Sequence, residues 1–411
     1  MPEFLTLLPP PQALTLFLGQ HFTPLQSEII PTTQALHRVT ASSVFAPHPL
    51  PTFRRSTVDG YAVRAMDTFG ASESIPAYLT LTGETLMGES PTFSVSAAQC
   101  ALIHTGGMLS DGADAVVMLE YTQSVSSDEI EVLRPVAVGE NILKVGEDVA
   151  AEEEVIPRAR RLRPAEIGGL MALGITALSV VRSPRVGILS TGDEIVSPEA
   201  VLQPGQVRDV NTYTLKALIE QCGGLPVIYG IIPDRKETLL AVASSALQEC
   251  DVLIITAGSS ASSRDLTAEV INLLGKPGVL VHGVNVRPGK PTILAACDGK
   301  PVVGLPGNPV SALVIAQLFI VPLMDTLLDL PPFQPQPNLL ARLTLNVPSQ
   351  AGREDWIAVR LIEQSGRLHA EPIFGKSNLI FTLVRADGLV HIPAEATGLN
   401  AGEMVEVLLM R

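Results

Sequence analysis

The sequence has little of what marks several common classes of protein. Its 411 residues include four cysteines, one tryptophan and 4% aromatic residues, and only 17% are charged. The cysteines form no CxxC pair, which argues against a disulfide framework or a cysteine-rich metal site and predicts four reduced, mostly buried thiols. The 28 Lys and Arg are outnumbered by 42 Asp and Glu, for a net charge of −14. This balance excludes a generally basic nucleic-acid-binding protein and argues against binding to an acidic membrane.

Two further absences concern location. The first basic residue is Arg38, so the basic region of a signal peptide is missing and a cytoplasmic protein is expected. The longest uncharged run, 301–324, is interrupted by glycines and prolines between 304 and 309. The apolar stretch that remains is shorter than the roughly 20 residues that span a bilayer. It therefore predicts a buried helix and no membrane partner.

What the sequence does contain points to several domains. At about 150 residues per domain, 411 residues predict about three. Short β-type runs separated by turn residues fill 50–150, whereas from 185 onward apolar strands alternate with helix patterns. This alternation predicts a doubly wound, mostly parallel α/β sheet covered on both faces. The strands predicted for that sheet are 186–189, 226–232, 252–256, 293–296 and 302–304.

The last part of the chain has a different pattern. Four prolines within 330–338 predict a stiff linker and a domain boundary. Beyond the linker, short apolar runs predict a small all-β domain, with strands at 340–346, 356–361, 379–383, 389–392 and 405–409. The fold class expected is therefore multidomain, with a central α/β sheet domain, β-rich domains and a C-terminal domain similar to a small β-barrel.

Three segments that follow predicted strands are the first candidates for a binding site, because ligands of an open parallel sheet bind beyond the carboxyl ends of its strands. The segments 190–194, 257–265 and 305–311 are small, turn-forming and rich in hydroxyls. Such loops present backbone N–H groups to an anion, and three together predict a phosphate-bearing ligand, although each alone fits an ordinary turn. The candidate binding residues are Ser190, Thr191, Gly192, Asp193, Gly258, Ser259, Ser260, Ser262, Pro306, Gly307, Asn308, Pro309 and Ser311.

Acidic residues follow the same strands. Asp193 and Glu194 come after the first, Asp234 after the second and Asp265 after the third. Carboxylates beside phosphate-binding loops suit Mg²⁺, which takes one or two carboxylates together with ligand phosphates. The alternative is helix capping, since Asp265 stands directly before the predicted helix 266–274.

A basic loop stands out in this acidic chain. Residues 281–292 carry two cations, Arg287 and Lys290, and no carboxylate. Prolines restrict the backbone there and Gly289 lets it turn, which suits an oxyanion or a phosphate. A solvated turn is the alternative.

Polar turns also occur in the β-rich region, at 54–62, 103–107 and 146–148. By spacing alone they predict only turns, and a lone histidine such as His104 is more often structural than a ligand. No GxSxG, HExxH, Walker A or GxGxxG motif stands in its proper context.

Taken in order, these segments form a pattern that spans the chain. They read TVDGYA at 57–62, TGG at 105–107, GADAVVM at 112–118, GED at 146–148, STGDE at 190–194, PGKP at 288–291 and GLPGNPVS at 304–311. This set resembles the molybdopterin molybdenumtransferases of the MoeA type, which are similar to the E domain of gephyrin. The resemblance covers the chain from about residue 10 to its end.

The resemblance implies an enzyme that takes adenylylated molybdopterin and molybdate, inserts molybdenum into the dithiolene and releases AMP with the help of Mg²⁺. It implies a homodimer whose active cleft lies between the sheet domain of one subunit and the β domain of the other. The protein partners it implies are a molybdopterin adenylyltransferase and the molybdoenzymes that accept the cofactor. It divides the chain into an α/β molybdopterin-binding domain (1–28 and 175–329), a connecting domain (29–50 and 151–174), a β-rich domain that closes the site (51–150) and a C-terminal β domain (339–411).

The resemblance also carries site residues onto this sequence. The family's functional positions fall on Asp59, Thr105, Asp148, Glu194, Asp234 and Asp265, and its active-site turn falls on Pro306 and Pro309. We expect Glu194 and Asp265 to hold the Mg²⁺–phosphate assembly, and Asp59 and Asp148 of the partner subunit to shape the molybdate and water site. Arg287 and Lys290 would offset oxyanion charge.

The sequence departs from the family pattern in places. Ala257 and Ser262 replace glycines of the usual phosphate loop, which predicts a different loop backbone, and Arg54 and Arg55 add positive charge beside the TVDGYA segment. Two alternatives therefore stay open: an adenylyltransferase, and a non-catalytic molybdopterin-binding scaffold. The β-rich domains argue against the first. The retained carboxylates argue against the second, because a scaffold has no need for like charges around a cleft.

Overall fold

The computed structural model describes residues 7–257, 261–331 and 338–410, and within 261–265 it describes the backbone only. Its largest element is a six-stranded mixed sheet. Four strands pair in parallel, and the last two strands are joined to them by antiparallel pairing, which confirms the mostly parallel α/β sheet predicted from the alternation. The strands in spatial order are Leu225–Ile232, Arg185–Thr191, Val252–Ala257, Lys300–Pro306, Ile293–Cys297 and Pro277–His282.

Helices cover both faces of this sheet, because its central strands are almost wholly apolar. One face packs against helices Pro10–Leu18, Asn211–Gln221 and the long helix from Pro309 to Leu327, and the other against helices Lys236–Glu249 and Ala261–Leu274. All four cysteines are buried and free, as predicted, and burial raises the pKa of the Cys100 thiol to about 12.

The helix beginning at Ala261 corrects one expectation. It starts earlier than the predicted 266–274 helix, so Asp265 lies inside the helix and is not its N-cap. The polar stretch 261–265 has no Gly or Pro that would stop a helix, and continuing the helix in the N-terminal direction adds one backbone hydrogen bond for each residue that is fixed.

The helical segment Pro309–Leu327 is long and apolar enough to cross a membrane by length and composition. It consists of helix Pro309–Ile315, a π-helical turn Ala316–Ile320 and helix Val321–Leu327. Two-thirds of it is buried inside the protein, with Phe319 and Leu323 completely enclosed. It is therefore a core helix, as predicted. It belongs to the sheet unit, the six-stranded mixed sheet together with the helices that cover it.

Residues 27–45 and 154–181 form a small connecting unit. Its core includes Leu162, Leu170 and Val180, the last of which lies on a strand of a short two-stranded sheet. The elements are strands Ser27–Pro31 and Ala177–Val181, strands Val44–Phe45 and Glu154–Ile156, the 3-10 turn Thr32–Gln34 and helix Pro164–Ala172.

Residues 55–143 form a second six-stranded sheet, which is mainly antiparallel. Its strands in spatial order are Ala115–Met118, Gly60–Val63, Gln99–Ile103, Ala77–Thr85, Glu129–Val132 and Thr122–Ser124. A short pair, Arg55–Ser56 with Ile142–Leu143, and 3-10 turns Ala65–Thr68 and Leu119–Tyr121 complete this β unit.

The C-terminal unit is a closed β-barrel. Strand Glu354–Gln364 pairs with Arg367–Pro372 on one side and Gly388–Ile392 on the other, and strands Met404–Leu409 and Asn338–Leu343 close the circle. The predicted strand 379–383 is wrong: a short helix, Phe381–Val384, stands there, since only Leu383 of that helix is buried and turn hydrogen bonds replace a ladder. The short pairs are Val347–Pro348 with Gly398–Leu399 here, and Ile195–Val196 with Val207–Arg208 in the sheet unit.

One strand joins the sheet unit to the barrel. Val286–Arg287, from the predicted basic loop, pairs in parallel with Glu354–Asp355. The long helix adds an apolar contact, in which Val310 and Val314 pack against Leu389. The boundaries of the four predicted domains stay a prediction.

Candidate active site

The carboxyl ends of the parallel strands bring two of the predicted loops to one edge of the sheet. In register, Ser190 stands opposite Thr256, and Ala257 stands opposite Pro306. Ser190 and Thr191 are buried, and the Thr256 hydroxyl donates a hydrogen bond of 3.2 Å to Ser190 Oγ. The hydroxyls of Thr256 and Ser190 therefore connect neighbouring strands, and in the turn beyond them Asp193 and Glu194 are exposed.

That turn depends on a glycine. Gly192 has φ of +144°, and a Cβ at this position would lie 2.8 Å from Ile195 Cγ1 and 3.0 Å from Glu194 Oε2. Only glycine lets the chain fold back so closely. The turn leaves Asp193 and Glu194 exposed, and the Asp234 N–H donates a long hydrogen bond of 3.4 Å to Asp193 Oδ1. The predicted residues Asp193, Glu194 and Asp234 thus lie at the same edge.

A residue that no sequence pattern indicated connects this edge to the third predicted loop, 305–311. Asn211, almost fully buried at the start of its helix, donates from Nδ2 to the carbonyl oxygen of Gly307 at 2.8 Å. Nothing in the local pattern singled out Asn211, since its partner lies 96 positions away along the chain.

The second loop is only partly described. Gly258, Ser259 and Ser260 lie outside the described residues. Ser262 and Asp265 lie in the first turns of helix Ala261–Leu274, and their side chains are also outside the description.

A separate cleft of about 940 Å³ opens between the sheet unit and the barrel. The sheet unit contributes the basic loop and the third predicted loop to its lining, through Arg287, Lys290, Pro306, Gly307, Asn308 and Ser311. The barrel contributes Arg353 and Lys376, two cations that the sequence reasoning missed. Among the described lining residues there are four cations and no carboxylate, in a chain of net charge −14.

The two sides of the cleft are held together at the third loop. Asn308 Nδ2 donates to Ser377 Oγ at 3.0 Å, and the Val310 N–H donates to the Ser377 carbonyl oxygen at 3.0 Å. Pro309 begins the core helix directly behind this contact. The polar segment Gly375–Ser377 is the sequence feature that could have indicated Lys376. Nothing in the neighbouring sequence shows which loop Lys376 faces.

The basic loop turns at a glycine that is packed against the core. Gly289 has φ of +113°, and a Cβ there would lie 2.3 Å from Ile315 Cγ1 of the core helix. The Thr292 hydroxyl donates to the Gly289 carbonyl oxygen at 2.6 Å. Arg287 and Lys290 are exposed on either side of this glycine and project from a loop whose backbone is packed against the core.

The β unit carries an acidic turn of its own. Asp59 accepts hydrogen bonds from the Thr105 N–H (2.7 Å) and the Thr105 hydroxyl (3.2 Å), which lower the pKa of this carboxyl below its ordinary value. His104 lies beside it, with Nδ1 3.8 Å from Asp59 Oδ1 and Nε2 donating to Glu84 at 2.9 Å. Thr105 and His104 therefore both help to keep Asp59 charged.

The predicted Asp148 is exposed on the segment that runs beside residues 50–51, where its N–H donates to the Leu50 carbonyl oxygen at 3.0 Å. Of the described residues that line the cleft, none comes from 51–150. One chain alone therefore does not bring Asp59, Thr105 or Asp148 to the cationic cleft.

The predicted carboxylates suit a metal ion only when a bound ligand completes the metal's coordination shell. Among the described side chains, those of 7–257, 266–331 and 338–410, no group of three His, Cys, Asp or Glu could hold a metal ion. Mg²⁺ commonly takes one or two carboxylates and completes its shell with phosphate oxygens and water. The exposed carboxylate of Glu194 at the sheet edge fits that mode of binding.

Comparison with known proteins identifies the family. Three family profiles match in order: the MoeA N-terminal region (domain I and II) at 8–174, a probable molybdopterin binding domain at 187–326, and the MoeA C-terminal region (domain IV) at 340–410. The molybdopterin molybdenumtransferase of Bacillus subtilis is 32% identical over 393 residues, 94% of this chain and 90% of the relative.

Other relatives agree. The molybdopterin molybdenumtransferase of Haemophilus influenzae is 30% identical over 398 residues, which cover 96% of this chain and 97% of the relative. The crystal structure of the molybdopterin biosynthesis MoeA protein from Pyrococcus horikoshii superimposes with a TM-score of 0.86 at 31% identity, over 98% of this chain and 100% of that one. The resemblance seen in the sequence is confirmed, and the chain belongs to the MoeA family.

Proposed function

We propose that this protein is a molybdopterin molybdenumtransferase that takes adenylylated molybdopterin and molybdate and releases AMP. The observation that carries the proposal is the cleft in which Arg287, Lys290, Arg353 and Lys376 converge without a lining carboxylate among the described residues. A tetrahedral dianion suits such a site, because guanidinium and ammonium groups bind oxyanions through charge-assisted hydrogen bonds.

The cationic cleft and the sheet edge bind different substrate groups. Molybdate binds in the cationic cleft. The phosphates of the adenylylated substrate lie along the sheet edge, where the turns 192–194 and 306–308 present backbone groups. The third loop belongs to both regions, since Gly307 contacts Asn211 at the edge and Asn308 contacts Ser377 in the barrel. In the proposed arrangement, the dithiolene of the bound substrate lies beside this loop, near the molybdate.

Mg²⁺ belongs to the same proposal. Glu194, together with Asp265, would hold it beside the phosphates, and the ion would supply positive charge there. The chain's own contribution is position: Gly192 folds the turn so that the Glu194 carboxylate lies over it.

We further propose a cytoplasmic homodimer in which Asp59, Thr105 and Asp148 of the partner subunit complete the site. The support is that Asp59 is exposed, held by Thr105 and absent from the cleft of its own chain. Mixed dimers test this. Asp59→Asn and Glu194→Gln are each inactive alone, and random exchange of their subunits restores about a quarter of wild-type sites if two subunits build each site. No recovery after verified exchange contradicts it.

The test of the reaction is single-turnover AMP release. Purified protein is mixed with adenylylated molybdopterin and Mg²⁺, with and without molybdate. We expect AMP release that depends on molybdate and falls by about 100-fold or more in Glu194→Gln, since one positioned charge contributes a few kcal/mol to such a step. Glu199→Gln, a nearby exposed carboxylate bonded to Ser197, is the matched control and keeps wild-type release.

Each other outcome has a meaning. Tight substrate binding without AMP release supports a molybdopterin-binding scaffold. In a parallel assay with molybdopterin and ATP, formation of the adenylylated substrate supports an adenylyltransferase. In the proposed role, such an adenylyltransferase is a separate protein that supplies the substrate, and molybdoenzymes accept the product.

A further inference from the structure

Asp355 is a completely buried carboxylate in the wall of the cationic cleft. It lies on the barrel strand Glu354–Gln364, with no exposed surface, and it does not line the cleft itself. A buried carboxylate is stable only when its oxygens are paired. The partners of Asp355 therefore show what it does.

Both oxygens have partners that reach toward the cleft. Arg353 Nε donates to Oδ1 at 2.9 Å, and the Ser349 hydroxyl donates to Oδ2 at 3.0 Å. Arg287 Nη1 lies 3.8 Å from Oδ2. Arg353 comes from the barrel and Arg287 from the sheet unit, so one carboxylate holds a cation on each side of the cleft.

The geometry keeps both arginines usable. Asp355 binds Arg353 through Nε, so the two terminal nitrogens of that guanidinium remain available to an oxyanion. Arg287 is paired in register with Asp355 in the parallel strand contact and its side chain is 64% exposed. Asp355 thus sets the distance between two donors without consuming them.

We propose that Asp355 is a positioning residue that sets the spacing of Arg287 and Arg353 and so determines the affinity and selectivity of the cleft for a tetrahedral oxyanion. This proposal rests on the proposed function, in which that oxyanion is molybdate. Asp355 cannot touch the anion, and its charge alone would repel it.

A neutral variant separates positioning from charge, because the two roles predict opposite signs. Asp355→Asn removes one negative charge behind the cleft. If Asp355 acted only as a counter-charge, molybdate would bind more tightly. If Asp355 positions the arginines, molybdate binds at least about tenfold more weakly, since small displacements of a binding group are costly. Discrimination between molybdate and the smaller sulfate also falls.

The neighbouring residue supplies the control. Glu354 is on the same strand, faces the opposite side and accepts a hydrogen bond from His391 at 3.0 Å. Glu354→Gln makes the same charge change without touching either arginine, and it keeps wild-type molybdate affinity. A milder variant, Ser349→Ala, removes one partner of Asp355 without changing charge, and weakens binding by about twofold to threefold.

The measurement is calorimetric titration of the full-length protein with molybdate and with sulfate, paired with the KM for molybdate and the kcat of AMP release. The expected result for Asp355→Asn is a higher Kd and KM with kcat within about twofold of wild type. If Asp355→Asn fails to fold by circular dichroism, Ser349→Ala decides by the same readouts. Unchanged or tighter binding in the deciding variant overturns the positioning role and leaves the proposed function standing. A wild-type protein that does not bind molybdate overturns both.

Discussion

The cationic cleft and the acidic turns of this protein differ in how their charged groups are held. In the cleft, Arg353 and Arg287 are anchored to one buried carboxylate, and the loop behind Lys290 packs on the core helix through Gly289. At the sheet edge and in the β unit, Glu194, Asp59 and Asp148 are exposed on turns. The oxyanion side is therefore anchored within one chain. On the carboxylate side Asp59 is held by Thr105, whereas Glu194 and Asp148 have no such side-chain anchor among the described residues, and we expect these two to obtain their final geometry from substrate and partner.

The largest expected effect comes from removing one charged group from each region in turn. We expect Arg353→Ala to raise the KM for molybdate by about 100-fold, because charge-assisted hydrogen bonds contribute about 1.5–3 kcal/mol each. Its affinity for adenylylated molybdopterin stays within about twofold. Glu194→Gln shows the reverse pattern, with molybdate affinity preserved and AMP release lost. Molybdate titrations and single-turnover assays on both variants measure molybdate affinity and AMP release for each.

The matched control for the cleft is Arg342→Ala, which removes an exposed barrel arginine that donates to the Gly402 carbonyl oxygen at 2.7 Å and does not line the cleft. It should leave molybdate binding unchanged. Two results would break the comparison. Equal weakening in Arg342→Ala and Arg353→Ala would mean that overall charge attracts the anion. If Arg353→Ala and Glu194→Gln weakened the binding of the same ligand equally, the two regions would form a single site.

A second prediction concerns the rigidity of the basic loop. We expect Gly289→Ala to destabilise the protein by about 2–3 kcal/mol, because the added methyl group overlaps Ile315 and φ is positive. Gly352→Ala is the matched control, with φ of +96° and no atom within 4 Å of its Cβ, and it costs about 1 kcal/mol. Urea unfolding of the three proteins measures both. Equal losses would show that backbone strain alone explains the effect and that the loop is not held by packing.

The smallest effect concerns Asp59. The Thr105 N–H and hydroxyl lower the pKa of this carboxyl, so Thr105→Val, which keeps the N–H, raises that pKa part of the way toward its ordinary value. A lowered folded pKa means that the contact stabilises the protein above the unfolded pKa of an aspartate, about 3.9, and that this contribution is lost as the pH falls through the folded value.

Carboxyl NMR titration of Asp59 measures this shift. Thr122→Val, in the same β unit, removes a hydroxyl that donates to Leu119 and leaves the pKa of Asp59 unchanged. An unshifted Asp59 in Thr105→Val would show that the backbone N–H alone holds the carboxylate.

Part of the site could be read from the chain because it depends on local chemistry. The loops 190–194 and 305–311 follow strands, and the PGKP loop combines glycine, proline and cations within four residues. The structure brings the last two into one cleft. The cap position considered for Asp265 was wrong, because the start of a helix depends on what its first turn packs against and the polar residues at 261–265 leave that start ambiguous.

Other site residues could not be found in this way. Asn211, Arg353 and Asp355 carry no local motif. Asn211 contacts Gly307 and Asp355 contacts Arg287, each far away along the chain. Arg353 bonds to Asp355, two residues away, and its importance comes from the cleft that the barrel forms with the sheet unit.

The chain alone specifies the alternation of strands and helices, the loops at the strand ends and the family, since periodicity and motif order can be read without any contact between distant segments. Three features of the site depend on the assembled fold: Arg287 is paired with Asp355, Arg353 and Lys376 line the same cleft as the PGKP loop, and Asp59 lies outside that cleft in its own chain. The physical reason is that strand register and barrel closure set these distances, and both are satisfied only when distant segments pack together.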